Sequence, residues 1–473
     1  MSEVGAVKKL SSMFSTMQEK LHKHKGEKKV APPQSGPLPA RERSLSLGRP
    51  PFFEYLVVVS VRRRLGGDHG YEPQIIYQFP KATNQSQREE EERNLQAITL
   101  FCFPEGVNWA PVTEYRSETF SFVLTEIDGS RRNGYCRRLL PSGRGACPPE
   151  AYCIISTLAC FSLFSKIFDE VEKRRQISMA MIYPFMQSLR ETPFPAPGKT
   201  VTVQSFIPDS GTEMISLTRP LDSWLEHVDF RSLFLCVSDE DVLQVFSAAV
   251  LERRIIFIAE ELSTLSQVLH AVAALLYPFV WQHTFISIVP KVLLDVYLAP
   301  TPYLLGIQKN LLHLITEHTD LLIVDLSART ESKIITRVGD EDLLIPSSLH
   351  EELLQELCKR KHDSNTEELN HLVSEAFLTF FVKTVGHFIN HIKRPRATDQ
   401  PGTFQRKNFL KAVEPKYKQF IRQFVQTQMF DLFIQEEEKQ PNQQGLFYKK
   451  ITEHQQRRRK ERTRSSGARG VVV

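Results

Sequence analysis

Between Arg253 and Leu326 the chain alternates short, almost wholly apolar runs with segments long enough to be helices. Ile255–Ile258, Phe285–Val289, Tyr303–Leu305 and Leu321–Val324 are mostly β-branched, leucine or aromatic. A strand with one wet face alternates polar and apolar residues, whereas a strand covered on both faces does not. The pattern therefore predicts a parallel sheet flanked by helices, a Rossmann-like α/β lobe. Leu262, Leu265, Leu269, Val272 and Leu276 recur every three or four positions and predict the first crossover helix over Leu262–Leu276.

Sheets of this kind often hold nucleotides, and the holding needs glycine. A phosphate cradle requires backbone that can approach the ligand closely. No Gly-x-Gly-x-x-Gly follows a strand here, and no Gly-x-x-x-x-Gly-Lys-Ser/Thr occurs. The only glycine between Arg253 and Leu326 is Gly306, read with Pro302 as a fold-keeping residue. The fold is indicated without its usual small-molecule chemistry, and no cofactor is expected.

The chain's 473 residues and 41% hydrophobic content allow two or three cored domains. Charge or proline interrupts the long apolar runs; Ala271–Val280 comes nearest to a membrane span and is too short. The first residues lack an apolar signal-peptide core. Seven scattered cysteines without Cys-x-x-Cys spacing suggest reduced, buried thiols and a cytoplasmic setting. The net charge of +5 is unevenly placed: residues 1–50 carry +6 and residues 449–473 carry +7, which leaves −8 between them. A mildly acidic body argues against nucleic acid as a partner. The basic ends suit transient contact with an anionic membrane or an acidic partner.

The reading divides the chain into six parts. Residues 1–51 are a basic, disordered leader. Its Val4, Val7, Leu10, Phe14, Met17 and Leu21 form a weak helical stripe ahead of a proline-rich linker. In that linker Arg41-Glu-Arg-Ser-Leu-Ser46 resembles a basophilic-kinase site, making Ser44 and Ser46 candidate phosphorylation sites. Residues 52–191 read as an antiparallel sheet with helices packed on it. Its strands are Tyr55–Val61, Gln74–Phe79, Thr119–Glu126, Gly134–Leu140 and Ala151–Ser156. Asp128-Gly129 marks a hairpin turn, and Phe120, Phe122 and Leu124 alternate as a half-buried strand would. The helices are Phe161–Arg175 and Met179–Arg190. Residues 192–200, with Pro193, Pro195 and Pro197, read as a linker. Residues 201–330 are the α/β domain and 331–435 a helical part ending in an amphipathic helix over Tyr417–Phe433. Residues 436–473 read as a basic, disordered tail.

No Gly-x-Ser-x-Gly or His-Glu-x-x-His occurs. His69 falls in a glycine-rich loop; His270, His283 and His313 fall in apolar surroundings, as core histidines do. Two stretches mix charge with apolar anchors, as protein interfaces do: Arg131-Arg132 after the hairpin, and Leu225-Glu-His-Val-Asp-Phe230. Trp281-Gln282-His283 stands where a buried helix meets a strand. The candidate interface is therefore Arg131, Arg132, Glu226, His227, Asp229, Trp281, Gln282 and His283. Catalytic and metal-binding residues are not expected.

Many of these stretches together resemble a known family. They are Phe101-Cys-Phe-Pro104, Thr119-Phe-Ser-Phe-Val-Leu-Thr125, Gly129-Ser-Arg-Arg132, Gly134-Tyr-Cys-Arg-Arg138, Pro193-Phe-Pro-Ala-Pro-Gly198 and Leu251-Glu-Arg-Arg254. Further along come Leu275-Leu-Tyr-Pro-Phe279, Trp281-Gln-His-Thr284, Pro300-Thr-Pro302, Val324-Asp-Leu326 and Val382-Lys-Thr-Val-Gly-His387. Over residues 52–435 the chain resembles the tripartite DENN domain, with upstream, central and downstream parts, in group two of the DENN domain-containing proteins. The short stretch before Phe52 suits a short member of that group.

The resemblance implies a longin-like upstream module and a second lobe built from the other two parts. It also implies a guanine-nucleotide exchange factor for a Rab GTPase, specifically the Rab of late-endosome-to-Golgi transport. The GTPase's switch regions would lie across both lobes. Such a protein would be cytoplasmic and transiently on endosomal or Golgi membranes. A Rab-binding scaffold without exchange activity fits the same residues, as does a GTPase-activating protein offering Arg131 or Arg132 as an arginine finger.

Overall fold

The computed structural model describes residues 51–63, 71–81, 95–106, 111–125, 131–141, 145–207, 211–219, 228–327, 332–360, 365–394, 401–439 and 445–468. The leader with Ser44 and Ser46, the loop with His69 and the Asp128-Gly129 turn lie outside them. The chain forms two compact units: Met1–Ser223 with Ile288–Ala299, and Trp224–Ser287 with Pro300–Val473.

In the first unit five antiparallel strands form a sheet of order β2-β1-β5-β4-β3. They are β1 (Tyr55–Arg63), β2 (Tyr71–Phe79), β3 (Thr119–Thr125), β4 (Arg131–Leu139) and β5 (Glu150–Ser156). Leu56, Val58, Tyr135, Tyr152 and Ile154 project from one face into a core shared with Phe164, Ile167, Phe168, Phe185 and Leu189. Those last residues belong to the helices Phe161–Ile177 and Ile182–Glu191. The expected half-wet β3 is not found. Ser121 and Val123 are buried as well as Phe120 and Phe122. A short helix over 95–102 supplies Phe101, which stacks on Phe122 at 4.8 Å.

The proline segment after Glu191 does not part the two units. Phe194 is buried in the first unit's core and meets Phe52 edge-on at 4.9 Å. The Arg219 guanidinium lies over its ring. Beyond it β6 (Thr200–Ile207) and β7 (Gly211–Thr218) form a separate two-stranded hairpin, although residues 201–330 were all expected to belong to the α/β domain. Val203 and Leu217 join the same core. Proline set the expected boundary at 192–200, but apolar anchoring carries the first unit on to Ser223.

The second unit contains the parallel sheet. β8 (Arg254–Ala259), β9 (Thr284–Ile286), β10 (Tyr303–Gln308) and β11 (Leu321–Asp325) run parallel. A short antiparallel β12 (Ile334–Thr336) closes the edge, giving the order β12-β11-β8-β10-β9. The fold is therefore mixed α+β, with one antiparallel and one largely parallel sheet. β9 stops at Ile286, short of the expected Val289, and Ile288–Ala299 groups with the first unit. The crossover helix spans Leu262–Ala274.

The helix Asp239–Val250 starts on Ser238, whose hydroxyl caps Asp241, and carries three acids in its first turn. Both features favour that terminus. Its Phe246 packs edge-on against Phe377, Phe380 and Phe381 of the helix Thr366–Val385. Among the described residues the span Thr366–His391, which begins with that longer helix, is the one long and apolar enough to cross a membrane, and Ala271–Val280 is not. Most of the span is buried within the unit, as in a core helix.

Two helical expectations change. Tyr417–Phe433 is broken: Lys418–Phe424 ends, and Gln428–Lys439 begins after Thr427, whose hydroxyl bonds back to Phe424 and accepts from Phe430. The expected disordered tail instead contains the helix Leu446–Ala468. Phe447 and Ile451 bury its first turns, and Lys450 pairs with Glu375 at 2.8 Å. Two apolar anchors beside many charges were too weak a periodic signal to read.

Gly306 sits where the second sheet leaves no room. A Cβ there would stand 2.0 Å from the Ser287 carbonyl oxygen and 3.4 Å from the Leu265 Cβ. The first obstacle is backbone and cannot rotate away. Gly306→Ala is expected to destabilise the chain by about 3 kcal/mol or more, at the upper end of overpacking costs. Urea denaturation would show this as a lower midpoint with an unchanged slope.

Candidate interaction surface

Arg131 and Arg132 open β4, opposite Thr125 and Leu124 of β3. The Arg132 Nε lies 3.2 Å from Glu54 Oε2, both side chains being partly exposed. A surface pair of this kind contributes up to about 1 kcal/mol. Burial pushes the Arg131 guanidinium below its usual range.

Farther along the same strand Arg137 and Arg138 have a different task. Arg138 is 1% exposed. It holds Glu105 through two bonds of 2.7 and 2.9 Å and donates twice to the Cys102 carbonyl. Its guanidinium lies over Phe103 and Phe120. Burial works against its charge, but Glu105 outweighs that and raises its pKa. Arg137 bonds Thr119 and pairs with Asp169 and Glu172. The four arginines of this strand thus divide into a half-exposed pair and an internal pair that fastens the segment 95–106 and a helix to the sheet.

In the second unit Asp229 is half-buried and caps the helix Phe230–Cys236, its carboxylate accepting from the Arg231 N–H at 2.9 Å. The segment is held by Asn370, which accepts from the Phe230 N–H and donates to the Val228 carbonyl. Arg231 and Leu235 share one helical face, both exposed, Leu235 at 79%. Glu226 and His227 lie outside the described residues.

Trp281 does not reach the surface. It is 2% exposed, and its indole N–H donates to the Thr284 carbonyl at 3.1 Å. His283 Nε2 stands 3.0 Å from Glu252 Oε2, off the line of a hydrogen bond. Gln282 between them is half-exposed. Trp281 and His283 are thus built into the second unit, and of the three only Gln282 retains a substantially accessible side chain. His270 lies against Phe285, at 5.2 Å between ring centres; His313, expected in a core, is exposed on a 3-10 turn.

Glu252 lies in the Leu251-Glu-Arg-Arg254 stretch, next to β8. It occupies a turn at φ 54°. Its two carboxylate oxygens accept from the Gln428 and Met429 N–H groups at 2.8 Å each. It therefore caps a helix 176 positions away. Arg253 next to it clasps Asp340, and Arg254 donates to the Thr319 carbonyl. Nothing in local spacing marks a cap between distant segments.

Exposed apolar side chains were also unmarked. Phe206 and Met214 project from the outer face of the β6–β7 hairpin, 62% and 59% exposed. What these surfaces offer chemically is docking: cations and apolar side chains on well-packed elements. Among the described residues no group of three His, Cys, Asp or Glu is placed to hold a metal ion. The described cysteines are unpaired, and burial raises the thiol pKa of Cys102, Cys136, Cys153 and Cys160.

Comparisons with known proteins cover both units. Models of the uDENN domain, the DENN (AEX-3) domain and the dDENN domain match residues 73–139, 147–329 and 404–450. The chain is 56% identical over 420 residues to DENN domain-containing protein 2D of Mus musculus, covering 87% of this chain and 88% of that one. It is 53% identical over 452 residues to DENN domain-containing protein 2D of Homo sapiens, covering 92% and 95%. To DENN domain-containing protein 2B of Homo sapiens it is 47% identical over 417 residues, which are 85% of this chain and 36% of that protein.

Removing the Glu252 carboxylate leaves two helix N–H groups without their acceptor. Glu252→Ala is expected to cost about 2 kcal/mol, the upper range for a lost cap. Amide exchange at Gln428 and Met429 is expected to accelerate more than exchange in β4. Uniform acceleration would mean the cap is not local.

Proposed function

The chain belongs to the DENN domain family, and on that premise we propose that it is a guanine-nucleotide exchange factor that releases GDP from a Rab GTPase and admits GTP. The observation that carries this reading is the likeness at better than half identity along nearly the whole length of two DENN domain-containing relatives. The candidate substrate is the Rab of late-endosome-to-Golgi transport. The protein would act from the cytoplasm, transiently on endosomal or Golgi membranes.

Exchange of this kind needs no nucleophile, general base or resident metal. The protein must bind the nucleotide-free GTPase more tightly than the loaded one. By linkage, the same factor then weakens nucleotide binding. Preorganised docking surfaces supply that difference, because they gain contacts only when the GTPase adopts the open state.

Two surfaces suit the role. In the first unit it is the Arg131–Arg132 end of β4, whose cations suit acidic segments of a partner. In the second it is the Arg231–Leu235 face of the helix capped by Asp229, with Leu235 as an apolar anchor. Gln282 remains a candidate contact in the second unit; Trp281 and His283 are positioning residues.

Release of a fluorescent GDP analogue from a panel of purified Rabs, with excess GTP as chase, tests the reading. Catalytic acceleration on one or two Rabs is expected. Stoichiometric binding without acceleration would make the chain a scaffold, and faster GTP hydrolysis instead would make it a GTPase-activating protein. On the responding Rab, Leu235→Asp and the double change Arg131→Ala with Arg132→Ala are each expected to slow exchange about fivefold or more. Stability should shift by less than about 1 kcal/mol for these surface sites. Unchanged rates would remove both surfaces from the interface.

A further inference from the structure

The corner between the helices Phe161–Ile177 and Ile182–Glu191 of the first unit is apolar and open. From Gln176 to Pro184 the chain has no charged residue. Ile177, Met179 and Tyr183 there are 48%, 44% and 51% exposed, and Gln176, Ser178, Ala180 and Pro184 are exposed beside them. Single exposed apolar side chains are ordinary, whereas several together on an uncharged surface mark a place where something docks.

The corner is a built surface. The Ser178 N–H donates to the Arg174 carbonyl at 2.9 Å, and the Ser178 hydroxyl accepts from the Ala180 N–H at 3.3 Å. The Tyr152 hydroxyl donates to the Met179 sulfur at 3.0 Å. Tyr183 meets Phe79 of β2 edge-on, with ring centres 5.1 Å apart. Met179 and Tyr183 are thus held from beneath and open above, so docking on them costs little in ordering.

Two observations select the occupant. The first is where the chain enters the fold. Phe53 lies 6.3 Å from Phe79 between ring centres, and Phe79 is the ring that Tyr183 meets. Residues 1–50, which lie outside the described residues, are therefore attached with a single ring between their point of entry and the patch. The second is what those residues contain. Val4, Val7, Leu10, Phe14, Met17 and Leu21 recur at the spacing of one helix face, the pattern of a segment that lays an apolar stripe on an apolar surface. The stripe is flanked by Lys8, Lys9 and Lys20, and the leader's charge of +6 is opposite to the −8 of the body.

The roughly 30 residues between Leu21 and Phe52 give the stripe ample reach. They also hold it near the patch at an effective concentration on the order of millimolar. At that concentration a contact with a Kd of about 0.1 mM between separate molecules is closed about nine-tenths of the time.

We propose that the apolar stripe of the chain's own leader, Val4 to Leu21, seats as an amphipathic helix on the uncharged corner made by Ile177, Met179 and Tyr183. The contact is intramolecular. It covers the corner while the leader is docked and opens it when the leader leaves, so the leader decides whether any other partner reaches this face. The proposal does not rest on exchange activity, and its test does not measure it.

Hydrogen exchange read by mass spectrometry on the full chain, without lipid, is the test. Amides over residues 4–21 are expected to exchange about tenfold more slowly than in a synthetic peptide of the same sequence. Ile177→Ser with Tyr183→Ser should bring their rates to within about twofold of the peptide's. Phe206→Ser with Met214→Ser removes exposed apolar side chains from the β6–β7 hairpin instead and should leave the protection within about twofold of the native chain's. The contact is also read from its other side. In Leu10→Ser with Phe14→Ser the initial rate of Met179 oxidation by hydrogen peroxide should rise at least about threefold, while Met214 keeps its rate. Melting curves identify a corner variant that has lost its fold; in that case the leader variant decides alone.

The proposal is overturned if residues 4–21 exchange as fast in the native chain as in the peptide. It is overturned as well if the hairpin variant releases them as fully as the corner variant, or if Met179 and Met214 respond alike. Protection that disappears on about tenfold dilution of the protein places the stripe on a second copy and contradicts the intramolecular contact. Protection that appears only when phosphatidylserine vesicles are added makes the leader a membrane segment and sinks the proposal.

Discussion

The Glu252 side chain is only 9% exposed, and separate segments of the second unit meet its carboxylate. Two backbone N–H groups at the start of Gln428–Lys439 donate to it, and His283 stands beside it. A carboxylate taken out of water must recover its hydrogen bonds or lose several kcal/mol. The acceptor is placed by a turn at positive φ immediately before β8, so the central strand and a helix late in the chain are set by one residue. Around that fixed point a cluster of Phe279, Phe381, Phe424, Phe430 and Phe433 fills the space. Polar specification at one point and aromatic bulk around it act together: the first sets register, the second supplies most of the burial energy.

The parallel sheet was legible because strands buried on both faces leave an apolar signature that little else imitates. Ile255–Ile258 and Leu321–Val324 fall within β8 and β11 almost to the residue. Gly306 as a fold-keeper was legible for the same reason, a lone glycine inside such a strand. The boundary was not. Pro193, Pro195 and Pro197 exclude helix, yet local backbone chemistry cannot say whether Phe194 is buried. The helix Leu446–Ala468 was missed because Phe447 and Ile451 are its only buried apolar side chains among the described residues, within a highly charged sequence.

The surface residues divide by a similar logic. Mixed charged and apolar stretches drew attention to Arg131, Arg132 and Asp229, and these are partly accessible. Trp281 and His283 drew it for the same composition but are built into the unit. An aromatic beside a histidine reads alike in a core and at an interface; only the Thr284 carbonyl and the Glu252 carboxylate separate the cases. Leu235 was passed over because a single exposed leucine has no sequence signature.

The central claim is a difference in affinity between two states of a GTPase, and it is tested most directly by measuring both. Binding of the full chain to the responding Rab would be titrated once with the nucleotide removed and once with GDP bound, at equal magnesium. The account predicts tighter binding to the empty form, by the same factor by which saturating amounts of the chain weaken GDP binding. Equal affinity for the two forms would contradict it, since a protein that does not distinguish the states cannot shift their balance.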